Sequence, residues 1–150
     1  MNDLTLDPPS ALFQAARKTA NHAYAPYSGF AVGAAVETSD GRIFVGANME
    51  NASYGLTSCA EVGALQAASS AGALGSIRRI AIVGGLINAT PDYRPMATAP
   101  CGRCRQLLAE AARLAGHDTE VWFADLEQSV IERRTISELL PDAFNAENLK

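Results

Sequence analysis

Three cysteines fall into two groups that have to meet: Cys59, in Thr57-Ser58-Cys59-Ala60-Glu61, and the pair in Pro100-Cys101-Gly102-Arg103-Cys104. Three thiolates hold one Zn²⁺ and leave its fourth tetrahedral position for water, while a carboxylate two residues from the first thiolate stays free to move protons. Bringing the groups together requires everything between Ala60 and Pro100 to fold back on itself. A site of that composition is hydrolytic.

A lone Cys-x-x-Cys leaves a thiol–disulfide role open, because Cys-Gly-x-Cys at a helix start also resembles the thioredoxin-type redox motif. An odd number of cysteines argues against a secreted disulfide framework and prefers a metal or redox role, without deciding between them. Cys59 at an independent helix start, with Glu61 beside it, favours zinc. The two histidines, His22 and His117, lie outside both motifs and are expected at the surface.

With 150 residues, 48% of them hydrophobic, the chain is expected to form one domain over 1–150, burying roughly 68–70% of its unfolded surface. Met1 to Pro9 carries Asp3 and Asp7 and no apolar run, which predicts no signal peptide, and no stretch is long and apolar enough to span a bilayer. A cytoplasmic protein is expected. The net charge of −4 disfavours a long polynucleotide, whose phosphates call for a basic groove, and suits a small neutral substrate.

Ser10 is placed to cap a helix to about His22, with Leu12, Phe13, Ala16 and Ala20 as its core face. Phe30 to Glu37 and Arg42 to Ala47 read as an antiparallel hairpin around Asp40-Gly41, followed by a loop from Asn48 to Thr57. Thr57 or Ser58 starts the next helix, so Cys59 falls in its first turn, where the positive end of the helix favours a thiolate. Ala60 to Ala71 continues that helix. Arg79 to Val83 is an almost wholly apolar run and predicts a central strand. A long loop, Gly84 to Ala99, leads to a helix over Cys101 to Ala115, with Cys104 on the same face as Cys101. Glu120 to Ala124 and Val130 to Arg134 read as strands, and Thr135-Ile136-Ser137-Glu138 as a capping box opening a short helix closed by Pro141. That order predicts an α/β fold, with helices on the faces of a mixed sheet.

Cys-Ala-Glu followed by Pro-Cys-Gly-x-Cys-Arg-Gln resembles the cytidine deaminase family of small zinc hydrolases. Ala23-Tyr24-Ala25-Pro26-Tyr27-Ser28, Phe30-Ala31-Val32-Gly33, Asn48-Met49-Glu50-Asn51-Ala52, Tyr54 and Leu139-Leu140-Pro141 also fit, so the likeness runs from about Ala23 to Phe144. It implies a three-layer α/β/α sandwich around a mixed five-stranded sheet, and one zinc per chain on Cys59, Cys101 and Cys104. It also implies hydrolysis of cytidine or deoxycytidine to the uracil nucleoside and ammonia, as in pyrimidine salvage. Glu61 is then the catalytic carboxylate, moving protons from the attacking water to ring N3 and on to the departing amine. The substrate-binding set implied is Phe30 against the base, Asn48 and Glu50 on the ribose 3′ side, and Ala60, Tyr54 and Phe144. Members of this type are homotetramers whose neighbouring subunits complete each pocket.

Val62 stands where most members have Arg after Cys-Ala-Glu, and Arg103 stands where a small residue is usual. That pair is more similar to blasticidin S deaminase, whose substrate is a cytosine nucleoside antibiotic. A deaminase for a modified cytosine nucleoside is therefore the nearest alternative, and a non-catalytic zinc- or thiol-binding protein the alternative from another class. Arg103 is the expected substitute cation beside the zinc thiolates, hydrogen-bonding their sulfurs. Tyr93 and Arg94, in a loop longer than usual, are placed to overhang the pocket.

Overall fold

The computed structural model describes residues 7–150, so the reading of the chain start rests in part on residues 1–6, which lie outside the described residues. Four helices and five strands follow in the order α1 (Ser10–Ala20), β1 (Phe30–Thr38), β2 (Ile43–Ala47), α2 (Ala60–Ser70), β3 (Ile77–Leu86), α3 (Gly102–Ala115), β4 (Glu120–Asp125), β5 (Ile131–Thr135) and α4 (Ile136–Leu139). The strands form one sheet in the order β2-β1-β3-β4-β5. β3 and β4 run parallel and every other neighbouring pair antiparallel, which is the mixed sheet expected.

Alternation along the strands sorts the core into two layers. Ala34, Val36, Ile80, Ile82, Val121 and Phe123 pack beneath α2 and α3, whose contribution is mostly small: Ala60, Ala64, Ala68, Ala111 and Ala112, with Leu65 and Leu108. On the opposite face Ala35, Ala81, Val83, Trp122 and Ala124 meet Leu12, Phe13, Ala16 and Ala20 of α1. Each interface thus mixes large and small side chains, which lets the layers pack densely at short separations.

Two glycines set those separations. A Cβ at Gly33 would lie 2.0 Å from the Ala16 carbonyl oxygen, and one at Gly46 would lie 2.2 Å from that of Ala60. α1 and α2 therefore rest directly on backbone, and the approach at Gly46 fixes the start of the helix that carries Glu61.

Several boundaries differ from the sequence reading. Pro9, not Ser10, holds the N-cap of α1, without a side-chain hydrogen bond, because its carbonyl already accepts from Phe13 N at 3.0 Å. The helix stops at Ala20. β3 runs on to Leu86, because Val32, Ala31 and Phe30 of β1 continue to pair with Gly84, Gly85 and Leu86. Those glycines read as loop, yet the Thr98 and Leu126 side chains occupy the space their own would need. The Thr135–Glu138 capping box forms as expected. Among the described residues no helix is long and apolar enough to cross a membrane.

Candidate metal centre and adjoining cavity

Cys59 and Cys101 occupy equivalent places, the N-caps of α2 and α3, each with extended backbone and no side-chain capping bond. Their sulfurs are free of the helix while standing at its positive end. α3 begins with Gly102, and Cys104 lies within its first turn, fully buried. The three sulfurs lie within 4.8 Å of one another, and those of Cys59 and Cys101 are 3.8 Å apart. Two sulfurs bound to a tetrahedral zinc at about 2.3 Å stand about 3.8 Å apart, so the cluster fits zinc.

The charges fit as well. Hydrogen bonding from Cys104 holds the Cys59 thiol down at about 6, helped by Cys101 and the charge of Arg103, while Cys104, which gives up its share, is pushed up. One thiolate thus forms readily at the half-buried Cys59, and a divalent cation would replace the remaining protons. Glu61 is 4% exposed. Burial, with some repulsion from Cys59, pushes its carboxyl up to about 7. A carboxyl poised near neutrality beside an open metal site is suited to taking and returning protons.

A second group of residues is tied to this centre through backbone. Met49 exchanges both hydrogen bonds with Ser58, the residue before Cys59, at 2.9 Å each. On its other edge the segment is held by Tyr24 N to Asn48 O at 3.0 Å and Glu50 N to Tyr24 O at 2.8 Å. Extended backbone puts Asn48 and Glu50 on the side opposite Met49. A cavity of about 310 Å³ beside them is lined by Tyr27, Ser28, Glu50, Tyr54 and Thr57, with the Tyr27 and Tyr54 rings 5.6 Å apart.

Of the predicted set, Glu50 and Tyr54 line this cavity. Asn48 is largely committed to β1, accepting from Val32 N at 2.8 Å and donating to Phe30 O at 2.9 Å, and it thereby places Phe30. Ala60, the first residue of α2, is fully buried where the helix rests on Gly46. Phe144 lies apart, 59% exposed, with its carbonyl accepting from Gln106 on α3. Arg103 lines a different cavity between α2 and α3, with Val62 and Leu65. Its charge favours the Cys59 thiolate, and among the described residues it donates no hydrogen bond to a sulfur. Tyr93 and Pro95 line a separate cavity with Gly84 and Asp125, while Arg94 reaches back to Asp92 O. The functional assignment from sequence passed over Tyr27, Ser28 and Thr57; Tyr27 and Ser28 stand in a quoted motif, but nothing local shows that they face Glu50.

A three-thiol centre at paired helix ends, with a buried carboxyl between them, defines the site of a zinc hydrolase in an α/β/α sandwich. Residues 7–115 match the cytidine and deoxycytidylate deaminase zinc-binding region. A cytidine deaminase of Halalkalibacterium halodurans is 47% identical over 127 residues, 85% of this chain and 86% of that one. Among solved structures, cytidine deaminase from Burkholderia pseudomallei superposes with a TM-score of 0.77 at 43% identity, covering 92% of this chain and 100% of its own. That from Mycobacterium tuberculosis gives 0.69 at 37% identity, covering 93% and 99%. The chain belongs to the cytidine and deoxycytidylate deaminase family.

Proposed function

We propose that this protein catalyses the hydrolytic deamination of cytidine or deoxycytidine, taking up one water and releasing ammonia and the uracil nucleoside. The observation that carries the reading is Glu61, buried to 4% exposure and held near neutrality beside three converging sulfurs. A structural zinc site has no use for such a carboxyl. Cys59, Cys101 and Cys104 are the zinc ligands, and zinc there supplies the Lewis acidity that lets water attack at neutral pH. Glu61 carries one proton of the attacking water to ring N3 and then the second, from the hydroxyl added at C4, to the departing amine, which leaves as ammonia.

Asn48 and Glu50 meet the sugar and Phe30 packs against the base. Ala60 presents its backbone N–H, one of the first-turn groups that a helix leaves without an internal partner. Arg103 acts on the centre by charge, offsetting part of the negative charge of three thiolates where Val62 cannot. The exposed rings of Tyr54 and Phe144, at 74% and 59%, support a homotetramer in which neighbouring copies complete each pocket. Three unpaired cysteines at a metal site suit the reducing cytoplasm and a role in pyrimidine salvage.

Incubation with cytidine, deoxycytidine, their phosphates and single-stranded DNA, followed by loss of absorbance and by metal analysis of the same preparation, tests this. Turnover of the free nucleosides with one zinc per chain is expected, from a species that light scattering finds to be a tetramer. A zinc-free active enzyme, or preference for the polynucleotide, overturns the reading. An active monomer overturns the shared pocket.

A further inference from the structure

Glu50 offers the cavity a charged acceptor, and what aims that acceptor is a hydrogen-bonded turn, Tyr27-Ser28-Gly29-Phe30, whose Ser28 lies 22 residues earlier in the chain. Its carboxylate receives three donors, all from two residues: Tyr27 N at 2.9 Å and Ser28 N at 3.2 Å on Oε2, and the Ser28 hydroxyl on Oε1. The hydroxyl is the side-chain donor of the three. Its own direction is set, because Ser28 Oγ accepts from Phe30 N at 3.0 Å. A backbone N–H can only donate, so the single hydroxyl proton is left to point at Glu50. Gly29, at φ +65, supplies the left-handed backbone that brings Phe30 N under Ser28.

We propose that Ser28 is a positioning residue: the directed chain Phe30 N–H to Ser28 O–H to Glu50 fixes the carboxylate as a pure acceptor and makes the cavity select a sugar hydroxyl that donates. The inference rests on the reading that Glu50 meets the sugar. Backbone donors occupy Oε2, so the arriving hydroxyl meets Oε1, the oxygen that Ser28 orients. Hydrogen bonds to the ionised form favour it, and Ser28 is the foremost reason that Glu50 stays below the usual carboxylate range. A sugar lacking that hydroxyl leaves the acceptor unpaired, and the penalty depends on how firmly the acceptor is held. Phe30 belongs to the same chain of bonds, so base packing and sugar recognition share one turn.

The experiment compares cytidine with 3′-deoxycytidine in the zinc-loaded wild type, Ser28→Ala and Ser28→Cys. The wild type is expected to favour cytidine in kcat/KM. Ser28→Ala is expected to lose about tenfold of that preference through KM for cytidine. The loss on 3′-deoxycytidine, which reports on base packing through Phe30, should be smaller than that on cytidine, and Ser28→Cys, with a weak donor of similar shape, should fall between. A Ser28→Ala enzyme that loses rate equally on both substrates, or keeps the full preference, overturns the positioning role. If Ser28→Ala does not fold, Ser28→Cys with undiminished preference overturns it alone. A wild type that turns over both nucleosides equally defeats the parent assignment of Glu50 to the sugar, and is thereby told apart from failure of Ser28.

Discussion

Glu61→Gln separates the chemical role of this carboxyl from its burden on the fold. The carboxyl titrates at 4.5 in an unfolded chain and at about 7 in the fold, burial being the main cause. Below about 4.5 it is neutral in both states and costs nothing. As the pH rises to about 7 the unfolded chain ionises first, so the metal-free fold loses roughly 3 kcal/mol, and loses no more above that. Glutamine is close to isosteric and never ionises, so the metal-free variant escapes the loss. Cys59 titrates in the opposite sense, because its lowered value stabilises the fold as the pH climbs from about 6. That contribution is common to both proteins apart from the repulsion between Cys59 and Glu61, which the variant lacks and which adds to the wild type's loss. Urea unfolding of chelator-treated, reduced protein at about pH 5 and about pH 8 should show Glu61→Gln gaining on the wild type by about 2–3 kcal/mol between the two. With zinc restored, the variant should keep its metal and lose about 10²–10⁴-fold in kcat, the range for a positioned acid–base group. A stability difference that ignores pH would refute the burial argument, and a near-normal rate would refute the proton carrier.

Gly46→Ala should cost about 1–3 kcal/mol or more and weaken zinc retention, because its Cβ would fall 2.2 Å from Ala60 O and 2.5 Å from Ala64 N. Gly55→Ala, with nothing within 4 Å, is the control, and equal melting temperatures for the two would contradict the contact. Arg105 donates to Pro100 O at 2.8 Å and to Leu139 O at 3.0 Å. Arg105→Met should therefore lower unfolding free energy by about 1–3 kcal/mol in urea titrations; an unchanged midpoint would show those carbonyls rehydrated without loss. Arg103→Ala should leave the melting temperature in place but lower zinc retention or turnover by up to about tenfold. Adding Val62→Arg should recover part of it, and parent-like zinc content and rate in Arg103→Ala would dismiss the charge role.

Most elements were legible because their causes are local. Helical spacing of Leu12, Phe13, Ala16 and Ala20, the apolar run through Ile80 and Val83, and the Thr135–Glu138 capping box each act within a few residues. The errors fell where a partner far along the chain decides. Gly84 and Gly85 look like loop until Phe30 to Val32 pair with the strand and Thr98 and Leu126 fill the missing side chains. The two bonds by which Asn48 also holds Val32 and Phe30 of β1 are likewise set by residues far along the chain.

By itself the sequence singled out the three cysteines and the reaction class, since cysteine spacing, the adjoining carboxylate and the surrounding motifs are properties of residue type and order. Tertiary structure alone decided the rest. The β2-β1-β3-β4-β5 order brings the starts of α2 and α3 together, and only then do three sulfurs lie within bonding range of one ion. Burial, which no residue carries in its own chemistry, turns Glu61 from an ordinary carboxylate into one poised near neutrality. The link from Phe30 through Ser28 to Glu50 likewise exists only once Met49 is clamped between Tyr24 and Ser58, because a hydrogen bond depends on distance and direction in space and not on separation along the chain.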